Sequence, residues 1–363
     1  MIDQVQSIPG RMESIRTYKE NGGSVAAVLP IHYPRALFRA FGILPVEVWG
    51  PPAVDTSYGS NRLQPYVCSI VRNALSFLET GGLDVADIIV VPHACDSLQG
   101  LGSVLIDFVA PRQPVLPIYL PRGKRESDIA FLAAEFSVLF DRLAILTGQS
   151  PSEDQLLLHI TREEVADARL GQLYQKRRRL PLDDLAFYRL VRSREYLPAE
   201  VFIKAADAAL TQMTDALRDG IPIVLSGIVP EPMSVLAAIS KTGGIVVGDD
   251  MACCGRRLYP AGHSQEPFLR MAERILFGPP DPTRGNSIRE RFDYLQKLVS
   301  RTKAWGVVFY DVKFCEPELF DLPDLRRLLR EAAIPSLAVE VDIGEPLSYQ
   351  VRTRLESFLE MSQ

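Results

Sequence analysis

Ile88-Ile89-Val90-Val91-Pro92-His93-Ala94-Cys95-Asp96 opens with four β-branched apolar residues and closes on a group of polar, reactive ones. A run that is apolar on both faces suits a strand inside a parallel sheet, because helices cover both sides of such a sheet. The polar residues then fall at the carboxyl end of the strand, where open α/β sheets place their ligands. Toward the N-terminus, Val25–Leu29 and Leu44–Trp49 read as further strands. Pro34–Phe41 between them reads as a helix opened by its proline and closed by Gly42. Tyr66–Leu78 is a predicted helix ending at Gly81-Gly82, and Leu98–Val109 is another that leads into the strand Val115–Leu120. This alternation predicts a parallel sheet with right-handed crossovers.

The stretch 126–218 carries no strand signal. Ile129–Leu146 has apolar residues at helical spacing, and charged helices broken by Pro181 and Pro198 follow. Alternation then resumes. Ile223–Gly227, Ile245–Asp250, Trp305–Tyr310 and Ser336–Val341 read as strands, and Pro232–Ser240, Pro323–Ala333 and Tyr349–Met361 as helices. Pro323 is expected in the first turn of its helix, where a missing N–H costs nothing. The expected fold class is therefore α/β: two doubly wound, Rossmann- or flavodoxin-like parallel-sheet domains, residues 1–150 and 211–363, joined by a helical segment, 151–210. A chain of 363 residues exceeds what one core supports, in keeping with two domains.

Composition narrows the function classes. With 47% hydrophobic and 23% charged residues the chain is ordinary globular protein. A net charge of -5 offers no basic excess against phosphate, which argues against a nucleic-acid partner. The basic run Lys176-Arg177-Arg178-Arg179 reads as a solvated helix face, with a docking patch for an anionic group as the alternative. Met1-Ile2-Asp3-Gln4 has neither a basic start nor an apolar run, and no apolar stretch approaches the roughly 20 residues that span a bilayer. The expectation is a cytoplasmic protein without a membrane partner, whose five cysteines stay reduced.

Cys95 follows one predicted strand, and Cys315 follows another in Phe309-Tyr310-Asp311-Val312-Lys313-Phe314-Cys315-Glu316-Pro317. Cys68 stands near a helix start in Pro65-Tyr66-Val67-Cys68-Ser69, where the helix dipole favours a thiolate. Convergence of the three at a domain interface is compatible with this placement. There is no C-x2-C motif of a zinc ribbon or ferredoxin, so spacing alone leaves both a metal site and buried structural thiols open. Cys253 and Cys254 are adjacent, and neighbours in an extended chain face opposite ways. One is expected in the core and the other near the site, with a ligand role as the sharper alternative.

Taken in order, Ala40–Val46, Tyr66–Arg72, Val91–Asp96, Gly248-Asp249-Asp250, Gly255-Arg256-Arg257 and Lys313–Pro317 resemble the D-component family of 2-hydroxyacyl-CoA dehydratases. That family includes class I benzoyl-CoA reductase subunits, and the resemblance runs along almost the whole chain. It implies a [4Fe–4S] cluster bound by Cys68, Cys95 and Cys315, with one iron left without a cysteine. It also implies a related second subunit in a heterodimer, an ATP-hydrolysing iron–sulfur activator protein and an acyl-CoA thioester substrate. Beside the ligands, Ser69 and Asp96 are positioned to orient the thiolates. His93 and His32 are candidate catalytic groups for moving a proton, each with a packed structural histidine as the alternative. Asp249 and Asp250 read as structural caps, and Arg256 and Arg257 as contacts to CoA phosphates or as salt-bridge partners.

The dehydratase branch carries a glycine–lysine–lysine run after the second cysteine, whereas here His93-Ala94-Cys95-Asp96-Ser97-Leu98-Gln99 has no lysine. That departure leans toward a benzoyl-CoA reductase-like subunit over a 2-hydroxyacyl-CoA dehydratase subunit. A non-catalytic electron-relay subunit is a further reading. A nucleotide-binding Rossmann enzyme is disfavoured, because no strand leads into G-x-G-x-x-G or a Walker loop.

Overall fold

Strands β1 (Ser24–Val28), β2 (Ile43–Glu47), β3 (Ile88–His93) and β4 (Val115–Tyr119) form one all-parallel sheet in the order β2-β1-β3-β4. Strands β5 (Ile221–Gly227), β6 (Gly244–Met251), β7 (Gly306–Val312) and β8 (Ser336–Val341) repeat that pattern as β6-β5-β7-β8. The structure is a computed structural model that describes residues 8–51 and 54–362. The Met1–Gln4 reading lies outside the described residues. In each sheet the chain reverses direction beside its first strand, between β1 and β3 and between β5 and β7. A crevice opens at the carboxyl ends of the strands at such a point.

Helices α1 (Arg11–Glu20), α2 (Arg35–Ala40), α3 (Ser57–Ser60), α4 (Ser69–Glu79) and α5 (Asp96–Val104) belong to the first sheet. Next come α6 (Glu126–Thr147), α7 (Glu153–Lys176), α8 (Asp184–Arg192) and α9 (Ala199–Leu210), with no strand among them, as the sequence predicts. The second sheet carries α10 (Ser234–Lys241), α11 (Pro267–Leu276), α12 (Ile288–Thr302), α13 (Glu316–Glu331) and α14 (Tyr349–Glu360). The expected α/β class with two doubly wound sheets is what the chain adopts.

Successive strand residues point to opposite faces, and the cores follow that alternation. Ala27, Ile89 and Val91 enter one core, while Ala26, Val28, Ile88 and Val90 enter another against α2 and α6. In the second sheet Val308 and Tyr310 join the first core, and Val307 and Phe309 pack outward against α12 and α13. The inner faces of both sheets therefore share one continuous core. Helix α11 crosses back: Met271, Ala272, Ile275 and Leu276 pack with Leu132 and Phe136 on the outer face of the first sheet.

Some predicted boundaries move. Helix α13 starts at Glu316, directly after Cys315, with Pro317 in its first turn, so Pro323 lies inside the helix. Pro323 is on the exposed face, where water can take the carbonyl that its missing N–H leaves unpaired. Helix α4 starts at Ser69 rather than Tyr66. Helix α5 starts at Asp96 and passes into a π-turn over Leu105–Val109. All three shifts put a cysteine immediately before a helix.

Candidate functional site

Cys68, Cys95 and Cys315 are the N-cap residues of α4, α5 and α13. Each sulfur thus sits at the positive end of a helix, where unpaired N–H groups favour an anion. Two links across the domains bring the trio together. The Ser69 N–H donates to the Lys313 carbonyl at 3.2 Å, and the Arg72 guanidinium meets Asp342 at 2.9 Å. Cys68 and Cys315 are close enough to perturb each other's acidity, and Cys95 lies within electrostatic reach of both. The Ile70 and Val71 N–H groups approach the Cys68 sulfur without completing a regular cap bond.

The acidities of the trio differ for that reason. The neighbouring Cys315 thiol lowers Cys68, and Cys68 in turn, together with burial, holds Cys315 well above the ordinary thiol range. Burial pushes Cys95 up to about 12. Among the described residues no group of three His, Cys, Asp or Glu side chains is placed to hold a single metal ion. A polynuclear cluster makes a different demand, because each thiolate binds its own iron. Three sulfurs on three separate helix starts, converging from two domains, fit that demand.

His93, the last residue of β3, is half-buried with neither ring nitrogen hydrogen-bonded. It stands edge-on to Tyr119 at 4.7 Å, and Gly102 packs against Nε2, where a Cβ would come within 2.7 Å. Burial lowers its pKa, which keeps the imidazole neutral. His32 is fully enclosed: Nδ1 meets Tyr259 Oη at 3.1 Å and Nε2 meets Thr283 Oγ1 at 3.2 Å, with Asp281 at 3.8 Å. The cavity beside it, also lined by Tyr33 and Arg257, measures about 40 Å³, room for water but not for a thioester. Ser69 is buried with its hydroxyl unpaired, so it is the backbone that links Cys68 to the second domain. Asp96 turns to solvent and pairs with Arg122 at 3.6 Å.

A larger cavity of about 1280 Å³ lies between the first sheet and the segment around α8, lined by Trp49, Phe77, Arg189, Arg192, Glu231 and Met233 among others. None of the three cysteines lines it.

Behind Cys315 is a buried charge network that the sequence does not announce. Glu318, in the first turn of α13, is held by Arg256 and Arg291. Arg256 also reaches Asp281 at 3.5 Å and Asp250 at 3.6 Å, and Asp281 pairs with His32. Arg257 grips Glu47 of the first sheet through both carboxylate oxygens at 2.7 Å. Arg256 and Arg257 therefore act as salt-bridge partners. The signal present in the sequence is Glu318, three residues after Cys315 and so on the same helix face.

Asp249 caps the turn after β6, accepting from Gly255 N–H at 2.8 Å and from the Tyr174 and Tyr188 hydroxyls, each at 2.8 Å. The basic run 176–179 is not wholly a solvated face. Arg177 is buried between Asp184 and Asp249, each at 3.5 Å, and stacks on Phe187 and Tyr188. Cys253 and Cys254 are both buried, with their sulfurs 3.2 Å apart, because the chain turns there and does not run extended. Gly255 has no room for a side chain: a Cβ would come within 2.0 Å of the Asp249 carbonyl oxygen. Gly255→Ala is expected to lower stability by about 3 kcal/mol, read as a drop in the urea unfolding midpoint.

Asp311, at the end of β7, is buried with Oδ2 unpaired, and burial raises its pKa from 3.8 to about 8. The folded chain then keeps a proton that the unfolded chain loses, so stability falls as pH climbs from about 4 to about 8. Asp311→Asn, which mimics the protonated acid, is expected to flatten that fall in urea midpoints measured across this range. A parallel decline in both proteins would remove Asp311 as its source.

Comparison with known proteins gives a consistent result. The family described as 2-hydroxyglutaryl-CoA dehydratase, D-component, matches residues 30–362. The (R)-phenyllactyl-CoA dehydratase beta subunit of Clostridium sporogenes is 22% identical, over 94% of this chain and 92% of that protein. The lactoyl-CoA dehydratase subunit beta of Anaerotignum propionicum is 25% identical over the same shares. A benzoyl-CoA reductase subunit of Thauera aromatica is 25% identical, over 89% of this chain and 87% of its own.

Proposed function

From this chain's membership of the 2-hydroxyglutaryl-CoA dehydratase D-component family, we propose that it is the iron–sulfur subunit of a low-potential acyl-CoA enzyme, with a [4Fe–4S] cluster held by Cys68, Cys95 and Cys315. The observation that carries this reading is the convergence of three N-cap cysteines from two domains. When bound, the cluster supplies single electrons. The chain's own contribution is to gather three thiolates at helix starts, where the dipoles offset their charge. The Ser69–Lys313 and Arg72–Asp342 links keep the two domains in register around them. Neutral His93, two residues before Cys95 and with neither ring nitrogen hydrogen-bonded, is the group this reading assigns to hold or pass a proton.

The partners of this reading are a related second subunit and an ATP-hydrolysing iron–sulfur activator. The absence of lysine after Cys95 supports a benzoyl-CoA reductase type of reaction, in which electrons enter an aromatic acyl thioester. A second reading, removal of water from a 2-hydroxyacyl-CoA, is favoured by the relatives named as dehydratase beta subunits. The test is an anaerobic assay of the reconstituted dimer plus activator, offering benzoyl-CoA and a panel of 2-hydroxyacyl-CoAs. Ring-reduced product supports the first reading, and an enoyl-CoA supports the second. No turnover by a dimer whose clusters are intact and reducible overturns both, in favour of an electron relay.

A further inference from the structure

The turn Met251–Arg257 holds the adjacent cysteines at the carboxyl edge of the second sheet. Its backbone is fixed from several sides. The Cys253 N–H donates to the Ile228 carbonyl at 3.0 Å, the Cys254 N–H to Met251 at 3.0 Å, and the Gly255 N–H to Asp249 Oδ1 at 2.8 Å. Cys254 takes φ -131° and ψ -95°, which swings both side chains to one side, and the sulfurs meet at 3.2 Å. Neither sulfur belongs to the trio of Cys68, Cys95 and Cys315. The Arg192 guanidinium, which lines the large cavity, lies within electrostatic reach of Cys253.

We propose that Cys253 and Cys254 form a two-electron redox site, oxidised to a vicinal disulfide by a small peroxide. Burial of both sulfurs selects a reagent no larger than hydrogen peroxide. One thiol attacks the peroxide, the O–O bond breaks, and a sulfenic acid and water form. The second thiol then attacks that sulfur and expels the second water. The balance is two thiols and one hydrogen peroxide to one disulfide and two waters.

Ring closure draws the sulfurs from 3.2 Å to about 2.05 Å and must rotate the Cys254 backbone. That backbone carries the next two residues, since the Cys254 carbonyl accepts from the Arg257 N–H at 3.0 Å. Arg256 holds Glu318 in the first turn of α13, and Arg257 holds Glu47 at the end of β2. Oxidation of the pair is thereby felt at the helix start that presents Cys315.

The experiment uses the full chain, purified anaerobically and treated with one equivalent of hydrogen peroxide. Free thiols are alkylated, and the tryptic peptide Thr242–Arg256, which contains both sulfurs, is weighed. The expected peptide is unalkylated, lighter by two hydrogens, and restored by dithiothreitol. An alkylated pair, a sulfinic acid, or a bridge to another peptide overturns the site. Hydrogen exchange is then followed over residues 316–322, with Cys254→Ser as the reference for peroxide effects elsewhere. Faster exchange in the parent alone is expected. Equal exchange in both proteins overturns the link to α13.

Discussion

Cys315→Ala is expected to strip the anaerobically purified protein of its iron and acid-labile sulfide, about four of each per chain in the parent by the stoichiometry of a [4Fe–4S] centre. Cys68→Ala and Cys95→Ala are expected to do the same. The loss should be nearly complete, because metal affinity at such a site comes from all its thiolates acting together. The brown colour and its broad visible absorption should disappear with the metal. Cys253→Ala is the informative control: its side chain is buried, like those of Cys68 and Cys315, but lies outside the trio, so iron should stay. Iron retained in all three trio variants would falsify the cluster assignment, whatever the protein's activity.

Arg256→Ala is expected to produce the largest loss of stability from any single charge removal. Its guanidinium is fully buried and shared among Glu318, Asp281 and Asp250. Removing one member of a buried ion pair costs about 3–5 kcal/mol, since the partner charge stays desolvated. Here three carboxylates lose their common cation, although Arg291 still reaches Glu318. Arg256 and Arg291 hold Glu318 below its ordinary pKa, and His32 with Arg256 holds Asp281 well below its own. In the variant these acids are expected to take up protons near neutrality, so the deficit should shrink as pH is lowered. Urea unfolding of parent and variant at pH 5 and pH 8 reads both the size and the slope. A deficit below about 1 kcal/mol would show that water enters and rehydrates the network.

The strands of both sheets are legible in the sequence because a parallel strand is apolar on both faces, as in Ile88–Val91 and Val307–Tyr310. The positions of Cys95 and Cys315 follow from those strands. Their shared N-cap geometry does not, because Pro317 and the buried start of α4 move the helix boundaries by several residues. Arg177 escapes sequence reasoning because a run of four basic residues looks solvated. The acids that bury it, Asp184 and Asp249, arrive from α8 and from the end of β6. The Arg256 network is of the same kind. His32, Asp281 and Glu318 are far apart in the chain and meet only after the two sheets have docked. The paired sulfurs of Cys253 and Cys254 are hidden by an assumption of extended backbone that the turn after β6 does not satisfy.

The backbone contact between Ser69 and Lys313 has a consequence for the order in which the molecule comes into being. Cys68 and Cys95 leave the ribosome early, on the first sheet, whose inner face is covered only once the core it shares with the second sheet has formed. Their third companion is synthesised much later, after the helical segment and most of the second sheet. Throughout that interval the two thiols have no third sulfur beside them. On the proposed cluster assignment, loading of the three-thiolate centre is therefore a late event, gated by completion of the chain, and the partly synthesised chain is the stage most exposed to stray metal and oxidant.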